Sequence, residues 1–171
     1  MTTAARALRA RTLAAVAATA LLAAGLGGCS VINSITGQVE RDESGQVVEG
    51  NDSADVFSMV VGDCINDSSL ADEVTTIPIV PCSEPHDSEI YHSFDLTTSA
   101  LPIRDELDQL AGEECVPAFE SFAGIAYEDS VYYFSYFSPS AQSWADGDRE
   151  ILCTIYDMDG QTTGSLEAIG R

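Results

Sequence analysis

The clearest alternation of apolar and polar positions runs from Arg149 to Asp157. In a strand, Arg149, Ile151, Cys153 and Ile155 point to one side there, and Glu150, Leu152, Thr154 and Tyr156 to the other. Cys153 shares its face with two isoleucines and is expected to be buried. A second alternation spans Glu89 to Leu96. It places Ile90, His92, Phe94 and Leu96 opposite Glu89, Tyr91, Ser93 and Asp95. A third, aromatic strand is expected over Ser130 to Phe137, with Val131, Tyr133 and Phe137 on one face and Tyr132, Phe134 and Tyr136 on the other. Pro139 ends it, because proline has no N–H for a ladder. Val56 to Val61 and Thr75 to Val80 read as shorter strands, and Pro78 places the latter at an edge or a bulge.

Between these strands the period changes. Ile103, Leu107, Leu110 and Ala111 recur at helical spacing, and Cys115, Phe119 and Phe122 continue their side. Thr98-Ser99 can cap the helix, Pro117 should kink or split it, and Gly124 should end it. Asp146-Gly147 is a turn into the last long strand, and Asp159-Gly160 a hairpin turn into a strand over Gln161 to Ala168. The expected fold is α+β: a small antiparallel sheet with one Pro-kinked helix packed on a face.

Residues 1–28 have a different pattern. Arg6, Arg9 and Arg11 precede an apolar run from Leu13 to Leu26. That order fits a signal peptide, and the run is short for a spanning helix, which needs ~20 residues. Leu26-Gly27-Gly28-Cys29 follows and resembles a bacterial lipobox. The resemblance implies that Cys29 is lipidated, becomes the mature N-terminus and holds the protein on the outer face of the cytoplasmic membrane. Residues 29–55 mix Ser, Gly, Gln and acids without an apolar period, so they read as a flexible acidic tether. The α+β domain is then expected over residues 56–171.

Charge narrows the partners. Residues 29–171 carry four arginines, no lysine and all 28 acids, a formal charge of −24. Nucleic-acid binding is excluded, since it needs basic groups on phosphate. Four cysteines remain beyond Cys29: Cys64, Cys82, Cys115 and Cys153. An even count in an exported domain implies disulfides. Three pairings are open. Cys64–Cys82 with Cys115–Cys153 is favoured, because the first flanks a short excursion between strands and the second ties helix to sheet. A zinc site competes, but no CxxC is present.

Candidate chemistry is sparse. His86, Glu89 and Asp87 can supply metal ligands, and His92 lies close by. A bracing role for His86 and a core position for His92 are the ordinary alternatives. Asp157-Met158-Asp159-Gly160 opens like a calcium loop, but Ala168 stands where the closing Glu would be. There is no Gly-x-Ser-x-Gly elbow and no visible catalytic set, so no enzyme activity and no cofactor are implied. Trp144, Tyr132 and Tyr136 are the residues for an interaction surface with an envelope protein or cell-wall component, although packing is the commoner role for such aromatics.

Several of these segments together resemble a known family. They are Val61-Gly62-Asp63-Cys64, Val80-Pro81-Cys82-Ser83-Glu84-Pro85-His86-Asp87-Ser88-Glu89, the helical Cys115, Pro139, Ser143-Trp144-Ala145-Asp146-Gly147-Asp148-Arg149, Cys153 and Thr163-Gly164-Ser165-Leu166. In that order they resemble the septum formation family of exported proteins in high-GC Gram-positive bacteria. The resemblance covers about Phe57 to Leu166. It implies an envelope-facing domain linked to cell division, and it carries no reaction, ligand or catalytic residue. Many members are attached by a transmembrane helix, whereas this chain has the lipobox. The function expected is a lipid-anchored, extracytoplasmic, non-catalytic binding module, with a metal-binding domain as the alternative.

Overall fold

The computed structural model describes residues 38–68, 70 and 74–171. The expected signal peptide, Cys29 and the first part of the expected tether lie outside these residues. Ten regular elements follow in order: β1 (Glu40–Arg41), β2 (Val47–Glu49), β3 (Asn51–Asp55), β4 (Cys64–Ile65), β5 (Thr76–Val80), β6 (Ser88–Asp95), α1 (Arg104–Ala123), β7 (Tyr133–Phe137), α2 (Ala141–Ala145) and β8 (Glu150–Tyr156). Strands β1 and β2 form a hairpin, and the other six form one sheet in the order β3-β5-β4-β6-β8-β7, antiparallel throughout. The α+β class holds, but the sheet is a six-stranded half-barrel, larger than expected. No helix among the described residues is long and apolar enough to cross a membrane.

The extra strands come from residues expected to be tether. Asp42 Oδ1 accepts hydrogen bonds from Ser44 N, Ser44 Oγ and Gln46 N, and Gly45 takes φ 89°. That closes the β1–β2 turn. The hairpin is then clamped from below. Arg41 donates two parallel hydrogen bonds to Asp63, at 2.5 and 2.8 Å, and Asp63 is 1% exposed. Val39 and Val47 pack on the core beneath, and Ala54 of β3 is fully buried. Val56 to Val61 is not a strand. Asp55 accepts from Phe57 N and caps a short 3-10 turn, Val56–Ser58.

Pro78 is tolerated inside the sheet because its neighbour bulges. Asn51 pairs with Ile79 and Ala54 with Ile77, so Asp52 and Ser53 together oppose Pro78. A second bulge changes the faces of β6. Ile90 pairs with Thr154 and His92 with Cys153, leaving Tyr91 unmatched. Glu89 and His92 therefore fall on one face, not on opposite faces as strict alternation expects. The alternation of β8 is as expected, with Ile151, Cys153 and Ile155 beneath the helix and Leu152 on the other side.

Helix α1 starts at Ile103, not at Thr98-Ser99, because Pro102 holds Leu101 extended. Glu106 accepts from Ile103 N at 3.2 Å and Gly124 ends the helix at φ 75°. Pro117 does not split it, and both Pro117 and Glu113, the residue four before it, are exposed. Leu107, Ala111, Cys115, Phe119 and Ala123 form a buried row four residues apart. They cover Tyr91, Cys153, Ile155 and Tyr132 on one face of the sheet. Ala54, Met59, Ile65, Ile77, Ile79, Ile90 and Leu152 form the core of the opposite face. The disulfides are Cys64–Cys82 and Cys115–Cys153, the favoured pairing. Gln161 to Ala168 is not a strand. Only Thr162 makes a bridge, with His86.

Candidate functional site

The histidine loop is an internal brace. His86 is fully buried, and its Nδ1 donates to the Glu84 carbonyl at 2.9 Å. Its Nε2 is hydrogen-bonded to Thr162 Oγ1 at 3.1 Å. Glu89, 2% exposed, accepts from Ser165 Oγ at 2.7 Å and from Leu166 N at 2.6 Å. Asp87 accepts from Ser68 N at 3.0 Å. His86 and Glu89 thus anchor the segment after β8 to the start of β6, and their ligating atoms are engaged within the protein. His92 is half-buried and stacks on Phe94 with ring centroids 6.2 Å apart. Among the described residues, the one group of three or more metal-ligating side chains with atoms within 4.8 Å is Cys64, Cys82 and Glu89. Both of its sulfurs are joined in the bridge.

The expected aromatic surface is also mostly packing. Tyr132 is 1% exposed beneath the helix, and Arg171 donates to its hydroxyl at 2.8 and 3.0 Å. It presents nothing to a partner. Tyr136 is half-buried and donates to Asp108 of α1 at 2.5 Å, with the Arg104 guanidinium 5.3 Å from its ring. Burial, then the Asp108 carboxylate, push its hydroxyl up to about 12. Trp144 packs on the Leu96–Leu107–Ile151 cluster, as a lid on the core. Arg149 covers its other side at 3.6 Å and donates to its carbonyl at 2.8 Å.

The open feature lies on the sheet face away from α1. A groove of about 680 Å³ runs between the Val56–Met59 turn and the segment from Ser138 to Asp148. This is the size of a ligand site. Its floor is apolar: Val56 and Met59 from one wall, Phe137 and Leu152 from the sheet. Phe57 stands at its mouth, 69% exposed. Asp146, Asp148 and Glu150 line the opposite rim. Local capping builds that rim. Ser140 and Ser143 cap α2 reciprocally, Ser143 Oγ donates to Asp148 at 2.8 Å, and Gly147 takes φ 106° to turn the chain into β8. Sequence alone does not assemble this groove, because its walls are 80 residues apart in the chain and Phe57 reads as a strand residue.

Among the described residues, three carboxyls are held above the ordinary range. Burial raises Glu89 against the hydrogen bonds from Leu166 and Ser165. Burial, with the neighbouring Asp87 charge adding, raises Asp67 against the Ser88 hydroxyl. Burial raises Glu150 at the groove rim, with Asp95 and Asp148 adding to it. A raised folded pKa means that the native state holds its proton more tightly than the unfolded chain. Stability from these groups is complete below the unfolded carboxyl range and is lost as pH rises through their folded values. Acidification also relieves the self-repulsion of residues 29–171, whose formal charge is −24. The melting temperature should therefore rise as pH falls from 7.5 to 5, and Glu89→Gln should flatten the rise. Asp87 bounds the effect from below. Burial pushes it up, but hydrogen bonds from Ser68 and Gln161 outweigh this and hold it low, so its stabilisation disappears in stronger acid. A melting temperature that falls between pH 7.5 and 5 would contradict this electrostatic account.

Residues 61–169 match a protein family described as Septum formation. No curated protein and no solved structure matches the chain. The matched range takes in all four bridged cysteines, the His86–Glu89 brace, helix α1 and the groove rim from Ser138 to Glu150. The chain belongs to the septum formation family.

Proposed function

We propose that the protein is a lipid-anchored, extracytoplasmic, non-catalytic binding module of the cell envelope, and that the groove opposite α1 is its binding surface. The observation that carries this reading is an open groove with an apolar floor and an exposed Phe57 at its mouth. His86 and Glu89, two of the titratable groups of the interior, are spent on holding the fold. Family membership supports a role in cell division or in the envelope. The anchor rests on Leu26-Gly27-Gly28-Cys29, with Cys29 as the lipidated residue. One diacylglyceryl group on Cys29 would supply two acyl chains, enough for stable attachment.

The test uses the full chain in cells. A photo-crosslinking amino acid at Phe57 should yield one discrete adduct in the membrane fraction. The same probe at Glu120, exposed on α1, should yield none, and Leu152→Arg in the groove floor should abolish the Phe57 adduct. Cys29→Ser should move the protein out of the membrane fraction. Equal labelling from both positions would sink the groove as binding surface, and unchanged fractionation of Cys29→Ser would sink the anchor.

A further inference from the structure

The groove combines three features that together specify the chemistry of an occupant. Its floor, from Val56, Met59, Phe137 and Leu152, accepts an aliphatic stem. Its far rim carries Asp146, Asp148 and Glu150, and no basic residue among the described residues lines the groove. Arg149, the nearest cation in sequence, is held over Trp144 by ring stacking and donates to the Trp144 and Asp148 carbonyls. The third feature is Phe57, whose exposed ring stands beside the floor and offers a face to a cation. Lysine and arginine carry an aliphatic stem that packs on apolar surface and a charged head that stays with acids or water. A floor, an acidic rim and an aromatic ring in one groove match that shape and charge.

We infer that the groove binds an extended segment of a partner protein that carries lysine or arginine beside an apolar residue. This rests on the groove being the binding surface, and it adds the occupant. The stem lies on Met59 and Leu152, the ammonium or guanidinium head meets Asp146 and Glu150, and Phe57 covers the segment from the other wall. A second copy of this chain fits poorly, since each copy brings the same excess of acids. Glu150 is already held above the ordinary carboxyl range by burial and by Asp95 and Asp148, so a cation beside it relieves repulsion present in the free protein.

Two labelled peptides of equal length test this by fluorescence anisotropy with the full chain in detergent solution at low salt. One alternates lysine with leucine and the other alternates glutamate with leucine. The lysine peptide should bind and the glutamate peptide should not. Asp146→Asn with Glu150→Gln should weaken binding about tenfold, the loss expected for two rim charges. Phe57→Ser should weaken it as well. Asp105→Asn with Glu120→Gln removes two charges from the exposed side of α1 and should leave binding within about twofold. Asp148 is kept, because it accepts from Glu150 N and holds the rim. An equal loss from the α1 pair would show bulk charge attraction and overturn the inference. No lysine-peptide binding, with the Phe57 crosslink intact in cells, would also overturn it while leaving the groove as binding surface. Loss of the crosslink together with peptide binding would remove both readings.

Discussion

Replacing Cys115 and Cys153 together by alanine should lower the unfolding free energy by about 4 kcal/mol, the loop-closure value for a bridge across their separation of 38 residues. The corresponding figure for Cys64 and Cys82, 18 residues apart, is about 3 kcal/mol. The gap should widen further in practice. Both Cys115 and Cys153 are fully buried between α1 and β8, in contact with the Tyr91, Phe119 and Tyr132 cluster. Losing that sulfur pair also leaves a void under the helix, and voids in a packed core cost stability in proportion to their volume. Cys82, by contrast, is half-buried at the rim of its loop. Urea midpoints of the two double variants would decide the matter. A larger loss from the Cys64/Cys82 pair would mean that the helix is held on the sheet mainly by packing and not by its staple.

The second large effect is expected at the ion pair beneath the hairpin. Arg41→Ala should cost about 3 kcal/mol, the lower end for breaking a buried pair, because Arg41 retains some contact with water. The loss follows from what is left behind. Asp63 is 1% exposed and, among the described residues, keeps the Val60 N–H, at 2.9 Å, as its remaining side-chain partner. Arg41→Met with Asp63→Leu should recover much of that loss, since an apolar pair of similar volume carries no desolvation penalty. Hydrogen exchange over residues 38–49 should speed up in Arg41→Ala and stay slow in the double variant. A change in stability below about 1 kcal/mol in Arg41→Ala would show that the hairpin is peripheral to the domain.

These two sites also show how far the sequence could be read. The staple was accessible because Cys153 sits in an unbroken alternation and Cys115 in a helical row, so pattern alone brings them to one interface. The hairpin was not. Its strands are two and three residues long, too short to establish a period, and its apolar side chains are isolated valines. The informative signal was Asp42-Glu43-Ser44-Gly45, a turn sequence with valines on either side. Similarly, the bulge at Tyr91 reverses the parity of β6 without any mark in composition, and it moved His92 to the face of Glu89. Of the candidate metal ligands, His86 and Asp87 precede β6 and Glu89 lies within it, and the partners of His86 and Glu89, Thr162, Ser165 and Leu166, come from a segment read as a strand. The groove was hidden for the same reason, since its two walls meet only through the sheet.

The order of strands has a kinetic consequence. The longest ladder joins β6 to β8, pairing Ser88 with Tyr156 and Asp95 with Glu150, and the whole of α1, β7 and α2 lies between them in the chain. Helix α1 can form from local contacts, but the centre of the sheet cannot close until that long excursion has folded back. Chains dominated by such distant pairings fold slowly, because loop entropy is lost before the contacts that compensate it are made. Cys153 reaches Cys115 only when β8 arrives, so native oxidation of this pair reports completion of the sheet. Until then both thiols are exposed to mispairing with Cys64 and Cys82, and the rate at which β8 docks sets how much of the chain acquires its native bridges.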